Sequence, residues 1–247
     1  MAVKKMTRYL LSLMLMMACF PVMAGQSLCP GKFINDETPN IHYDEEICFT
    51  EFVVLYSYAN KAPLISAQRL TAERVRAADT ISRRNSFHVE PLIPRAARSA
   101  TDDYEYSGYD QGHMTPAGDM PNSLAQHESF SMSNMTPQLP KLNRISWRKI
   151  EASVRKLALQ DGEVWVVTGA VFGSKRIGNG VSVPTLIYKA IISQSVQQVF
   201  VGDNTTGVVT SLSVSDFSAR YSIDPFPARR INEAALNGDG EDSDKHR

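Results

Sequence analysis

One segment limits the fold more than any other. From residue 143 to 160, apolar positions recur at helical spacing. Ile150, Val154 and Leu157 fall within roughly 60° on a helical wheel, with Trp147 beside them. Arg144, Arg148 and Arg155 occupy a separate arc of about 40°, and Asp161-Gly162 supplies the glycine stop. The other strong signals are for strands. Residues 48–58 are aromatic and β-branched, 59–63 make a turn and 64–70 return. Beyond the helix, 164–169 and 185–192 read as buried strands, with weaker signals at 197–201 and 208–212. Residues 71–108 have little periodicity, which predicts a long irregular excursion of the kind that often carries function. This order predicts an α+β fold with a mainly antiparallel sheet, as one domain over 48–232.

The first 24 residues read as an export signal. Lys4, Lys5 and Arg8 precede an apolar run that Pro21 interrupts, and Val22-Met23-Ala24 supplies a small-residue cleavage pattern before Gly25. The run is shorter than the roughly 20 apolar residues a membrane anchor needs. Cleavage after Ala24 predicts a periplasmic or secreted protein with no membrane contact after signal removal. The full chain balances 26 basic against 26 acidic residues; without the three basic residues of the signal it carries a formal charge of −3. Bulk charge therefore nominates no nucleic-acid partner. Cys19 leaves with the signal, so Cys29 and Cys48 remain as an even pair suited to an oxidising compartment. Their bridging is favoured over two unrelated thiols. Residues 25–47 read as an N-terminal arm, and 233–247 as a polar, disordered tail.

The chemistry concentrates in four short motifs. They are Asp110-Gln111-Gly112-His113; Ser133-Asn134-Met135-Thr136-Pro137-Gln138; Leu142-Asn143-Arg144-Ile145-Ser146-Trp147; and Glu151. A lone histidine beside glycine is weak, since most histidines are surface or satisfied core residues. Here His113 lies 30 residues before Asn143, which lies 8 before Glu151. Taken together, the motifs resemble the DNA/RNA non-specific endonucleases of the ββα-metal class.

That resemblance implies a ββα-metal nuclease fold with a metal-bearing helix. It implies a Mg²⁺ cofactor, with Mn²⁺ as a substitute, held by the amide oxygen of Asn143 and by water and phosphate oxygens. His113 is implied as general base and Glu151 as a contact through water, because a regular helix separates it from Asn143 by about 12 Å. Asn134 would support the site by hydrogen bonding, and Asp110 would brace the His113 loop. The upstream arginine of the family corresponds to Arg84, with Arg83 a near-equal alternative. The family usually has arginine where this chain has Gln111, and loss of a cation beside the phosphate puts catalytic vigour in question. On the family geometry, Gln111→Arg should raise activity about tenfold.

The expected activity is phosphodiester hydrolysis of DNA and RNA, leaving 5′-phosphate ends. Between Lys141 and Lys156 six basic residues face one acidic residue, a local footprint for phosphate backbones. The alternative is a catalytically weakened nucleic-acid-binding module on the same fold, motivated by Gln111. A homodimer and a protective inhibitor protein are partner classes that the sequence leaves open.

Overall fold

Alternation along the strands decides the architecture. A computed structural model describes residues 25–227; residues 1–24, expected to be an export signal, and 233–247, expected to be a polar tail, lie outside the described residues. In chain order, β1 (Glu45–Cys48), β2 (Val53–Ser57) and β3 (Ala62–Thr71) are followed by α1 (Ala72–Ala78). Next come β4 (Asp110–His113), α2 (Ser123–Ser129) and β5 (Met135–Gln138). A π-helical turn (Leu142–Trp147) runs into α3 (Arg148–Asp161). The chain ends with β6 (Glu163–Ile177), β7 (Val181–Ser193), β8 (Gln197–Asp203), β9 (Val209–Leu212) and α4 (Val214–Tyr221). Seven strands form one sheet in the order β1-β2-β3-β6-β7-β8-β9, every pairing antiparallel. The hairpin β4-β5 stands apart from it.

Both faces of the sheet are covered. Val53, Leu55, Ile65, Ala67, Val167, Tyr188 and Ala190 pack against Cys29 and Phe33 of the N-terminal segment and Phe217 of α4. On the other face, Leu70, Val164, Val166, Ile187 and Ile191 pack against Ile150, Val154 and Ala158 of α3. Full burial of such a side chain contributes roughly 1.5–3 kcal/mol, which fixes α3 by the apolar stripe visible in its sequence.

Three local differences from the sequence reading have physical causes. The expected strand over 48–58 begins only at Val53, because Cys48 ends β1 and the chain turns between the two, with Phe49 stacked on Phe52 at 4.5 Å. The N-terminal segment supplies β1 and joins the sheet through the Cys29–Cys48 disulfide. The excursion 71–108 opens with α1, whose first turn is capped by Thr71 Oγ1 accepting from the Arg74 backbone amide.

Candidate active site

The inner sheet face turns polar in one place. Ser66, Thr168 and Lys189 lie side by side across β3, β6 and β7, and all three are buried. Lys189 Nζ donates to Thr168 Oγ1 at 2.6 Å and to the Met114 carbonyl at 3.4 Å. Ser66 and Thr115 share a hydroxyl hydrogen bond of 2.6 Å. Buried polar groups need such partners, and here they include Met114 and Thr115, the two residues that follow His113. The polar row anchors the hairpin to the sheet.

Asn134 completes that anchor. It is fully buried, its Oδ1 accepts from the Thr115 amide at 3.0 Å, and its Nδ2 donates to the Thr115 and Ser129 carbonyls, each at 2.9 Å. It lies behind the site, where it holds the strand end that carries His113.

Above this floor opens a cavity of about 460 Å³. His113, Gln111, Asn143 and Glu151 line it together with the guanidinium side chains of Arg83, Arg144, Arg148 and Arg155. Asn143, on the π-helical turn, and Glu151, in the first turn of α3, both line this cavity.

Asp110 links the His113-bearing strand to the helix start. Its Oδ2 accepts from Asn143 Nδ2 at 2.9 Å, and its two oxygens accept from Arg144 at 2.8 and 2.5 Å. It therefore ties β4, the strand that ends in His113, to the π-helical turn. Partial burial opposes its ionisation, but the bonds from Arg144 and Asn143 outweigh that and hold the carboxyl below its usual range. A carboxylate only accepts, so the Asn143 amide must present its NH₂ to Asp110. The amide oxygen is then left for the cavity that Asn143 lines.

Of the two adjacent arginines, Arg83 is the one at the cavity, with its guanidinium 5.2 Å over the Phe130 ring. Arg84, the residue favoured by the sequence, lines a separate cavity of about 190 Å³ with Ser86 and His127, and its amide donates to Gln126 Oε1 at 2.8 Å. The two neighbouring arginines thus line different cavities.

The electrostatics divide the acid–base groups. The His113 ring packs edge-on against Phe130 at 4.8 Å and beside Phe87 at 6.0 Å, and its Nε2 is covered and without a hydrogen bond. Burial, with Arg83 adding to it, pulls its pKa down to about 3. Burial raises Glu151 to about 7, against the pull of Lys189 and with Asp119 reinforcing it. Lys189 is lowered by burial, resisted by Glu151 and Asp119. Asp119 is itself held by Gln68 Nε2 at 2.7 Å and Arg155 Nη1 at 3.0 Å.

Sequence reasoning passed over Lys189, Asp119 and Arg155. A lysine between Tyr188 and Ala190 in an apolar strand was the available signal, since a buried ammonium is rare without a partner. Arg155 was counted only as part of a basic arc.

The donor chemistry suits a hard divalent cation. Among the described residues no group of three His, Cys, Asp or Glu side chains could hold a metal. One amide oxygen and one nearby carboxylate match an ion such as Mg²⁺, which keeps most of its water.

A β-hairpin bearing His113, followed by a helix bearing Asn143 and Glu151 beside the same cavity, defines the ββα-metal nuclease fold. The chain belongs to the DNA/RNA non-specific endonuclease family, whose sequence profile matches residues 29–238. It is 33% identical over 156 residues to Nuclease C1 of Cunninghamella echinulata var. echinulata, covering 57% of this chain and 62% of that protein. It is 30% identical over 165 residues to mitochondrial Endonuclease G of Caenorhabditis elegans, covering 66% and 50%. The match thus spans about half to three-fifths of these relatives' lengths. A solved structure described as the EndoG/EndoGI complex, on the mechanism of EndoG inhibition, superposes with a TM-score of 0.63 at 27% identity. That likeness covers 74% of this chain and 85% of the other.

Proposed function

We propose that this chain is an exported, divalent-metal-dependent endonuclease that hydrolyses phosphodiester bonds of DNA and RNA. The observation that carries the reading is the convergence of His113, Asn143, Glu151 and four arginines on one cavity. Asn143 Oδ1 would hold Mg²⁺, with Glu151 at one remove. The bound ion would supply positive charge to the phosphate oxygens and to the departing 3′-oxygen.

The chain's own groups account for the rest. With its pKa near 3, His113 is neutral at physiological pH and keeps a ring lone pair ready to accept a proton. It takes that proton from water as the water oxygen bonds to phosphorus. The bond from phosphorus to the 3′-oxygen breaks, that oxygen takes a proton from solvent water as it leaves, the phosphate stays on the 5′ side, and His113 returns its proton to solvent. An incoming phosphate raises the proton affinity of His113 by its charge, opposing the effect of Arg83. The arginines bind backbone phosphates rather than bases, which fits weak sequence preference. Convergence of these groups favours catalysis over the binding-module alternative. Export is supported by the Cys29–Cys48 disulfide, which suits an oxidising compartment.

The test is to incubate mature protein with plasmid DNA or RNA, with Mg²⁺ or with EDTA. Cleavage is expected only with the metal. His113→Ala should lower kcat about 10²–10⁴-fold while leaving oligonucleotide affinity near wild type. Near wild-type turnover by a folded His113→Ala protein would remove the mechanism.

A further inference from the structure

The cavity does not end at the catalytic groups. A second cavity of about 390 Å³ lies along the outer face of α3 and shares Arg144, Arg148 and Arg155 with the first as common walls. Ile145, Lys149 and Ala152 line only this second space. Its four cations differ in what they are doing. Arg144 is paired with Asp110 and Arg155 with Asp119. The side chains of Arg148 and Lys149 are exposed, and among the described residues neither makes an ion pair or side-chain hydrogen bond. Two unspent charges therefore face a groove continuous with the site. Residues 148 and 155 are separated by about 10 Å of helix axis, which spans the rise of roughly three nucleotides of one strand. The groove floor is also partly apolar: Ile145 is 54% exposed and sits next to small Ala152 on this wall. Cations interleaved with exposed apolar carbon suit a sugar–phosphate chain better than a small free anion.

We propose that this second cavity is a flanking subsite that holds the phosphodiester next to the scissile one, with Arg148 and Lys149 as its phosphate-binding residues. The subsite rests on the nuclease reading and extends it: substrate is gripped along α3 as well as at the cut.

The test compares a fluorescein-labelled 12-base-pair duplex with bis(p-nitrophenyl) phosphate, which offers only one phosphodiester. Arg148→Gln, Lys149→Gln and Ala152→Glu all change exposed positions on α3. Each should lower kcat/KM on the duplex at least fivefold more than on the single diester, mainly through KM. Duplex affinity, read by anisotropy in EDTA, should fall, and the slope of log K against log salt should drop by about 1 for Arg148→Gln. A merely structural role would not move that slope. Equal losses on both substrates, or an unchanged salt slope in Arg148→Gln, overturn the subsite while leaving the nuclease reading intact. Wild-type protein that neither binds nor cleaves the duplex overturns both.

Discussion

At the scale of single residues, His113 and Glu151 pull stability in opposite directions. His113 falls from 6.5 to about 3 on folding, so between those values the unfolded chain binds a proton that the folded chain refuses. Its contribution is present above about 6.5 and is lost as pH falls toward 3. Glu151 rises from 4.5 to about 7, so the folded chain holds a proton that the unfolded one has released. Its contribution is present below 4.5 and is lost as pH rises toward 7. Between about 4.5 and 6.5 the two slopes oppose each other. Glu151→Gln should remove the second slope, so urea midpoints measured in EDTA would climb from pH 5 to about 6.5 and then level off, where wild type falls toward pH 7. A profile parallel to wild type would show that Glu151 does not hold that proton. Gln111 changes meaning at this scale too. The sequence alone led to a tenfold gain for Gln111→Arg, but Gln111 shares its cavity with Arg83, Arg144, Arg148 and Arg155. A further guanidinium meets like charges there, so kcat should stay level or fall in steady-state kinetics on a short duplex. A tenfold rise would mean that the four arginines leave the scissile phosphate under-compensated.

At the scale of elements, the hairpin depends on a glycine for room rather than for backbone freedom. A Cβ at Gly112 would lie 2.0 Å from Gln138 Cδ and 2.2 Å from its Cγ, and Gln138 is fully buried. Gln138 Nε2 in turn donates to the His113 carbonyl at 3.3 Å. Gly112→Ala should therefore cost about 1–3 kcal/mol by overpacking and displace the strand that carries His113. Urea denaturation and kcat on the same preparation would check this, both being expected to fall. The motif spacing made this hairpin and its histidine legible, because the motif residues sit on two short strands, on the turn that enters the second, or at the start of one helix. The π-helical turn was not legible. Periodicity in residues 143–160 reports a helix but cannot distinguish i→i+4 from i→i+5 bonding over six residues. The choice between Arg83 and Arg84 was equally hidden, since nothing in Ser82-Arg83-Arg84-Asn85 says which of two adjacent arginines faces the cavity.

At the scale of the molecule, the sheet separates what is stabilised from what reacts. The Cys29–Cys48 bridge belongs to the face covered by the N-terminal segment and α4, whereas the hairpin and α3 occupy the opposite face. Alternation along the strands is what keeps the two apart: Ala67 and Ala190 point one way, Ser66 and Lys189 the other. The bridge spans a sequence separation of 19 residues and should contribute about 3 kcal/mol through the unfolded chain. That is a large part of the 5–15 kcal/mol typical of a whole domain. The double substitution Cys29→Ser with Cys48→Ser should lower Tm by about 6–12 °C, using the 2–4 °C per kcal/mol usual at this chain size. Turnover per folded molecule at 25 °C should stay within about twofold of wild type, because a Ser at either position leaves the opposite face of the sheet in place. Calorimetry and active-site titration on the same sample separate the two effects. A matching collapse of kcat at a temperature where the variant remains folded would show that the sheet transmits the loss of the bridge to the hairpin.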